Sequence, residues 1–154
     1  MMAIQLAVGF LVGGINIVMH ALATVAAISI ARSIALRPVS WPRMQLMGVM
    51  VVTALVLKFT HSLEIFVWSL AYWLVGAAPE GTDLFYFAFV NYTTLGYGEI
   101  LPVKAWQLLG PMAAMTGILM FGWSTAVLFE VLMKTLTHLG ANAAPASLFA
   151  EDPG

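Results

Sequence analysis

Thr93-Thr94-Leu95-Gly96-Tyr97-Gly98-Glu99 is the stretch on which the reading of this chain turns. Two glycines alternate with a leucine and a tyrosine, and a pair of threonines leads in. Glycine tolerates backbone dihedrals that strain other residues, so alternating glycines let neighbouring carbonyls face one axis. The run lies between two long apolar segments of a 154-residue chain that is 62% hydrophobic and only 8% charged. Soluble proteins carry about 25% charged residues, so the chain reads as a membrane protein.

A monovalent cation that leaves water must find replacement oxygens, and an extended loop can offer them from successive main-chain carbonyls. Thr94 adds a hydroxyl at the inner end of such a column, while the side chains of Leu95 and Tyr97 point away and brace it. In this the run resembles the Thr-Val-Gly-Tyr-Gly selectivity filter of potassium channels. The resemblance covers residues 82 to 131: an aromatic pore helix from Leu84 to Tyr92, the filter, Pro102 and Trp106 after it, and an inner helix carrying Gly117. Phe121-Gly122-Trp123-Ser124-Thr125-Ala126 is also similar to small bacterial members of that family. It implies an all-α membrane protein, a two-helix pore-loop module preceded by one extra transmembrane helix and assembled as a homotetramer. It further implies passive potassium conduction through a selectivity filter of Thr94, Leu95, Gly96, Tyr97 and Gly98, with K+ ions held at Thr94, Leu95, Gly96 and Tyr97, and with Thr93 and Glu99 supporting the filter. Leu95 stands where the family usually has valine and Glu99 where it usually has aspartate. Val90 stands where some relatives place a buried glutamate, so no carboxyl pair is expected behind the filter.

Composition narrows the rest. A formal net charge of −1 argues against nucleic acid as a partner. With no cysteine there is neither a disulfide nor a thiolate site. The length suits one membrane unit embedded in a lipid bilayer, without a regulatory domain of about 50 residues or more. No organic cofactor and no small-molecule substrate is expected.

Residues 1–31 are read as the first transmembrane helix, since the uncharged stretch from Ala3 exceeds the roughly 20 residues that cross a bilayer. A secretory leader fits less well, because the basic n-region is missing and the apolar run is too long. Residues 32–43, with Arg32, Arg37, Arg43, Pro38 and Pro42, form a basic loop on the cytoplasmic side. The N-terminus then lies outside and the C-terminus in the cytoplasm of a multi-pass protein of the plasma or inner membrane. The pore module spans 44–138, comprising an outer helix 44–77, a pore helix 83–93, a filter 94–98 and an inner helix 106–138. At 1.5 Å per residue the outer helix would run about 51 Å, past a core of about 30 Å. Tilt, extension beyond the lipid, or a break near Thr60 to Ser62 would each resolve the excess. Trp68, Tyr72 and Trp73 are read as either an interfacial aromatic belt or packing against the pore helix. Thr82 is the expected N-cap of the pore helix, with Asp83 in its first turn. Pro111 is expected to bend the start of the inner helix, and residues 139–154 read as a disordered cytoplasmic tail.

Several residues carry readings of their own. Glu80, Asp83 and Glu99 would ring an outer vestibule that concentrates cations. Gly117 is a candidate gating hinge or a point of close helix packing. Thr116, Ser124 and Thr125 would line a wet cavity or bond back to their own helix, and Glu130 pairs with Lys134 at i, i+4. Charges within an apolar segment are costly and mark functional candidates, which singles out Lys58, His61 and Glu64. His61 and Glu64 are i, i+3 neighbours, a spacing that suits two metal ligands on one face, and His20 would supply a third. Three readings follow: a polar cluster that locks the first two helices together, a metal site, or a proton-sensitive switch.

The arginines sit in a proline-containing loop instead of recurring along a helix, so no voltage sensor is legible. A poorly selective cation pore is the nearest alternative, should Leu95 distort the carbonyl column. A potassium-transporter subunit or a non-conducting regulatory subunit is the alternative from another class. An enzyme is not expected, because no nucleophile and base are legible on facing helices.

Overall fold

The computed structural model describes residues 1–35 and 41–143, the side chains of 141–143 excepted. Among the described residues four α-helices follow in order: α1 (Met2–Ala35), α2 (Pro42–Val75), α3 (Leu84–Tyr92) and α4 (Leu109–Ala143). A 3-10 turn, Lys104–Trp106, precedes α4, and there is no strand among the described residues. α1, α2 and α4 are each long and apolar enough to cross a membrane, which makes this an all-helical multi-pass membrane protein. α1 packs against α2 and α4, and the short α3 packs against the same two helices.

Small residues set how closely α1 approaches α4. A methyl group on Gly9 would fall 2.3 Å from Met112 Sδ, and one on Gly13 would fall 3.3 Å from Thr116 Oγ1. Lipid tails are as apolar as leucine, so membrane helices associate largely through such close packing. Gln5 Oε1 accepts from the Leu108 amide at 3.0 Å and pins the start of α1 beside the start of α4.

The outer helix is unbroken through Thr60–Ser62. Along it, Thr53, Thr60 and Ser62 donate to the carbonyls of Val49, Val56 and Lys58, one turn back on the same helix. Each is satisfied locally and none opens the ladder. The helix stops at Gly76, whose φ of 63° sends Ala77 N–H to Tyr72 O and Gly76 N–H to Trp73 O. This paired closure is the Schellman motif, for which a left-handed glycine is the favoured residue.

Other boundaries differ from the sequence reading. Arg32 lies in the last turn of α1, and Arg43 lies in the first turn of α2 behind Pro42, so neither belongs to the connecting loop. Proline is tolerated there because a first-turn N–H has no partner within the helix. Arg37 and Pro38 lie outside the described residues. Asp83, not Thr82, caps α3: its carboxylate accepts from the amides of Phe85 and Tyr86 at 3.0 and 3.1 Å. Pro111 falls in the first turn of α4, where its missing N–H costs no intrahelical bond. α4 runs on past His138 to Ala143, and the remaining tail, 144–154, lies outside the described residues.

The aromatic residues of α2 divide between two roles. Trp68 and Tyr72 are fully buried, and Tyr72 packs on Phe87 of α3 with ring centroids 5.0 Å apart, whereas Trp73 faces outward. With Tyr92, Leu109 and Met120 they form the core that seats the short helix.

Candidate functional site

α3 ends in a tight turn. Thr94 N–H donates to Asn91 O and Leu95 N–H to Val90 O, and Thr93 Oγ1 turns back to Phe89 O. From there the backbone alternates: φ is positive at Thr94 (60°), Gly96 (55°) and Gly98 (81°), and Leu95 and Tyr97 stay on the ordinary side. A chain whose residues alternate in hand rotates each peptide relative to the last, so that successive carbonyls fall on one side and amides on the other. Glycine adopts this conformation freely at 96 and 98. Thr94 does so at a cost of about 1–2 kcal/mol. Residues 94–99 are exposed on the single chain, with Leu95 at 51% and Tyr97 at 66%.

Two contacts fix this loop. Tyr86 on α3 donates its hydroxyl to Glu99 Oε1 at 2.5 Å, holding the far end of the loop to the helix that begins it. The carboxylate on that hydroxyl raises the Tyr86 phenol above its ordinary value. On the other side, Gly117 of α4 meets the end of α3 so closely that a Cβ would lie 1.9 Å from Tyr92 O. Close approach of two backbones therefore accounts for a glycine at 117. Of the three acidic vestibule candidates, Glu80 is exposed, Asp83 is committed to its cap and Glu99 to Tyr86.

Directly behind the loop lies a buried polar cluster contributed by all four helices. Glu64 is fully buried and faces two imidazoles, His20 Nδ1 at 2.8 Å and His61 Nδ1 at 3.1 Å, and it also accepts from the Tyr92 hydroxyl. Ser124 of α4 closes the figure, with its Oγ 2.9 Å from His61 Nε2 and 3.3 Å from His20 Nε2. Asn16, one turn before His20, reaches the Glu64 carbonyl. The proton count of this ring does not depend on tautomers. Four hydrogen bonds join His20, Glu64, His61 and Ser124, and each needs one proton. Two neutral imidazoles and a hydroxyl supply three. A fourth proton, on the carboxylate or on a ring, would complete the set and cancel the charge of Glu64. A buried ring that is neutral as a whole avoids the cost of an uncompensated charge.

The structure thus brings His20, His61 and Glu64 together, and Lys58 is excluded. Lys58 is exposed and lines a cavity of about 270 Å³ that also reaches His61, Ser124 and Thr93. Tyr92 and Ser124 belong to the cluster and were not legible as members of it. Tyr92 reads as one pore-helix aromatic among several, and Ser124 as a cavity-lining hydroxyl. Thr116 and Thr125 do bond to their own helix, at Met112 O and Phe121 O. Asn16 was detectable in principle, as the polar residue at i, i+4 from His20 in an otherwise apolar helix. Glu130 and Lys134 pair at 2.8 Å on the exposed surface.

Among known proteins, neither a curated protein nor a solved structure matches this chain. A family model described as "Ion channel" matches residues 50–134, more than half of the chain, covering most of α2, all of α3, the loop and most of α4. On that match the chain belongs to the ion channel family, in its two-transmembrane pore-loop potassium channel class.

Proposed function

We propose that the protein is a potassium-selective channel in which four copies of the chain place residues 94–98 around one axis. The observation that carries this reading is the positive φ at every second residue of Thr94-Leu95-Gly96-Tyr97-Gly98. Four such strands would present stacked rings of main-chain oxygens, with Thr94 contributing its hydroxyl at the inner end, and K+ would exchange its hydration shell for them. Each chain holds one loop, so closed fourfold symmetry is the simplest way to complete the ring. The exposure of Leu95 and Tyr97 on the isolated chain fits side chains that neighbouring copies cover.

Electrostatics support the same direction of use. The C-terminal end of α3 carries a partial negative charge and adjoins the inner end of the loop. Glu80, Asp83 and Glu99, repeated four times, would enrich cations at the outer mouth, an effect that salt screens over about 10 Å at 0.1 M. Arg32 and Lys134 line one cavity at the opposite end of the bundle, which by charge bias is the cytoplasmic side. This orientation puts the N-terminus outside and the C-terminus inside a plasma or inner membrane. Conduction is passive and uses no catalytic group.

Ion flux into liposomes that contain the purified protein tests the proposal. Uptake of Rb+ driven by a K+ gradient, with Na+ and Li+ excluded, is the expected result. Equal uptake of Na+ would make the pore a poorly selective one, and absence of uptake would favour a non-conducting or transporter-like subunit.

A further inference from the structure

The buried ring behind the loop has the layout of a transition-metal centre, and we infer that His20, His61 and Glu64 bind a zinc-class dication. The three side chains come from two helices, and one ligand atom from each lies within 4.8 Å of the others. Two imidazoles and a carboxylate form a donor set that suits zinc and its neighbours, and three protein ligands leave a fourth position open.

What separates this trio from a chance polar contact is the far side of each ligand. Metal-bound histidines nearly always donate their other ring N–H to a fixed acceptor, and ligating carboxylates are themselves hydrogen-bonded. Here both Nε2 atoms converge on Ser124 Oγ, whose two lone pairs can accept two N–H donors. Glu64 already receives the Tyr92 hydroxyl. An ion held by both Nδ1 atoms and Glu64 would therefore find all three ligands oriented. The displaced Ser124 proton would be free to turn back onto α4, as the hydroxyls of Thr116 and Thr125 do. Access is available from the cavity of about 270 Å³ that reaches His61 and Ser124.

The exchange balances. With the ion bound, the two neutral imidazoles keep one N–H each, both on Nε2, and the fourth proton of the ring has no place left. One dication enters and one proton leaves. The ion joins α1 to α2, and through Tyr92 it reaches the residue two positions before Thr94, so occupancy would set how firmly the base of the loop is held. The site stands independently of whether the pore selects potassium.

Binding of Co2+ and Zn2+ to the purified full chain in detergent tests the inference. The expected result is one ion per chain, a visible absorption band of Co2+ on nitrogen and oxygen ligands, and release of about one proton per ion. Tyr92→Phe keeps the buried ring and removes only the hydroxyl, and is expected to weaken binding by about 10–100-fold, as is Ser124→Ala. Glu64→Gln and His20→Gln should abolish it, and His138→Ala should leave it unchanged. The inference fails if the wild-type chain binds no Co2+, which would make the ring a proton site only. It fails equally if Tyr92→Phe and Ser124→Ala bind as tightly as wild type, or if binding disappears with His138. Potassium selectivity is measured separately by flux, so loss of one result leaves the other standing.

Discussion

The loop from Thr94 to Gly98 and the polar cluster beneath it lie a few residues apart, joined at Tyr92, yet they are built on opposite plans. The loop, on the proposed reading, would work with main-chain oxygens; it is exposed on the single chain and contiguous in sequence. The cluster works with side chains, is packed among four helices beside a cavity that reaches His61 and Ser124, and links His20, Glu64, His61 and Ser124 by hydrogen bonds. A site made of backbone is specified by conformation, so its sequence signal is the local pattern that permits the conformation. A site made of side chains is specified by packing, and its signal is scattered over more than a hundred residues.

The largest expected effect comes from breaking the backbone plan. Gly96→Ala forces a side chain into φ 55°, at about 1–2 kcal/mol in each copy. Summed over the four copies that the proposal places around one axis, that predicts loss of selective current by well over a hundredfold, read as K+ flux per reconstituted protein. Gly117→Ala attacks the junction between the two regions, because its Cβ would meet Tyr92 O. Overpacking of this kind costs about 1–3 kcal/mol, to be seen as a lower unfolding midpoint in detergent.

Two tyrosine variants then sharpen the contrast. Tyr92→Phe removes a buried hydrogen bond to a carboxylate and should cost about 1.5–3 kcal/mol of stability. Tyr86→Phe removes the equivalent bond from the exposed side of the loop and should change stability much less, while altering flux through the freed Glu99. If Tyr86→Phe proved the more destabilising of the pair, the division between a self-supporting interior and an exposed loop would be wrong. Smallest of all, Lys134→Met breaks an exposed i, i+4 pair and should cost about 0.3–0.5 kcal/mol in the same unfolding assay.

The same contrast explains what was legible in the chain. Thr94 to Gly98 could be read directly, because only glycine serves freely at positions 96 and 98 and a run of five residues contains its own geometry. The three long apolar helices were equally plain. His61 and Glu64 stood out as polar residues in apolar helix, and their shared face followed from i, i+3 spacing. Lys58 stood out for the same reason and misled, since three residues before His61 is also a neighbouring position, and only packing decides that its amine faces outward. Ser124 was hidden because a hydroxyl in a membrane helix usually bonds to its own backbone, as Thr116 and Thr125 do. Asp83 took the cap from Thr82 by a shift of one residue, a margin at which neighbouring capping residues compete on nearly equal terms.

The reversal potential under bi-ionic conditions, with K+ on one side of a bilayer holding the purified protein and Na+ on the other, measures the central claim most directly. Stacked carbonyls from four loops predict a large displacement toward the potassium equilibrium potential, with Rb+ replacing K+ and Li+ failing to. A steady cation current that reverses near zero would contradict the account.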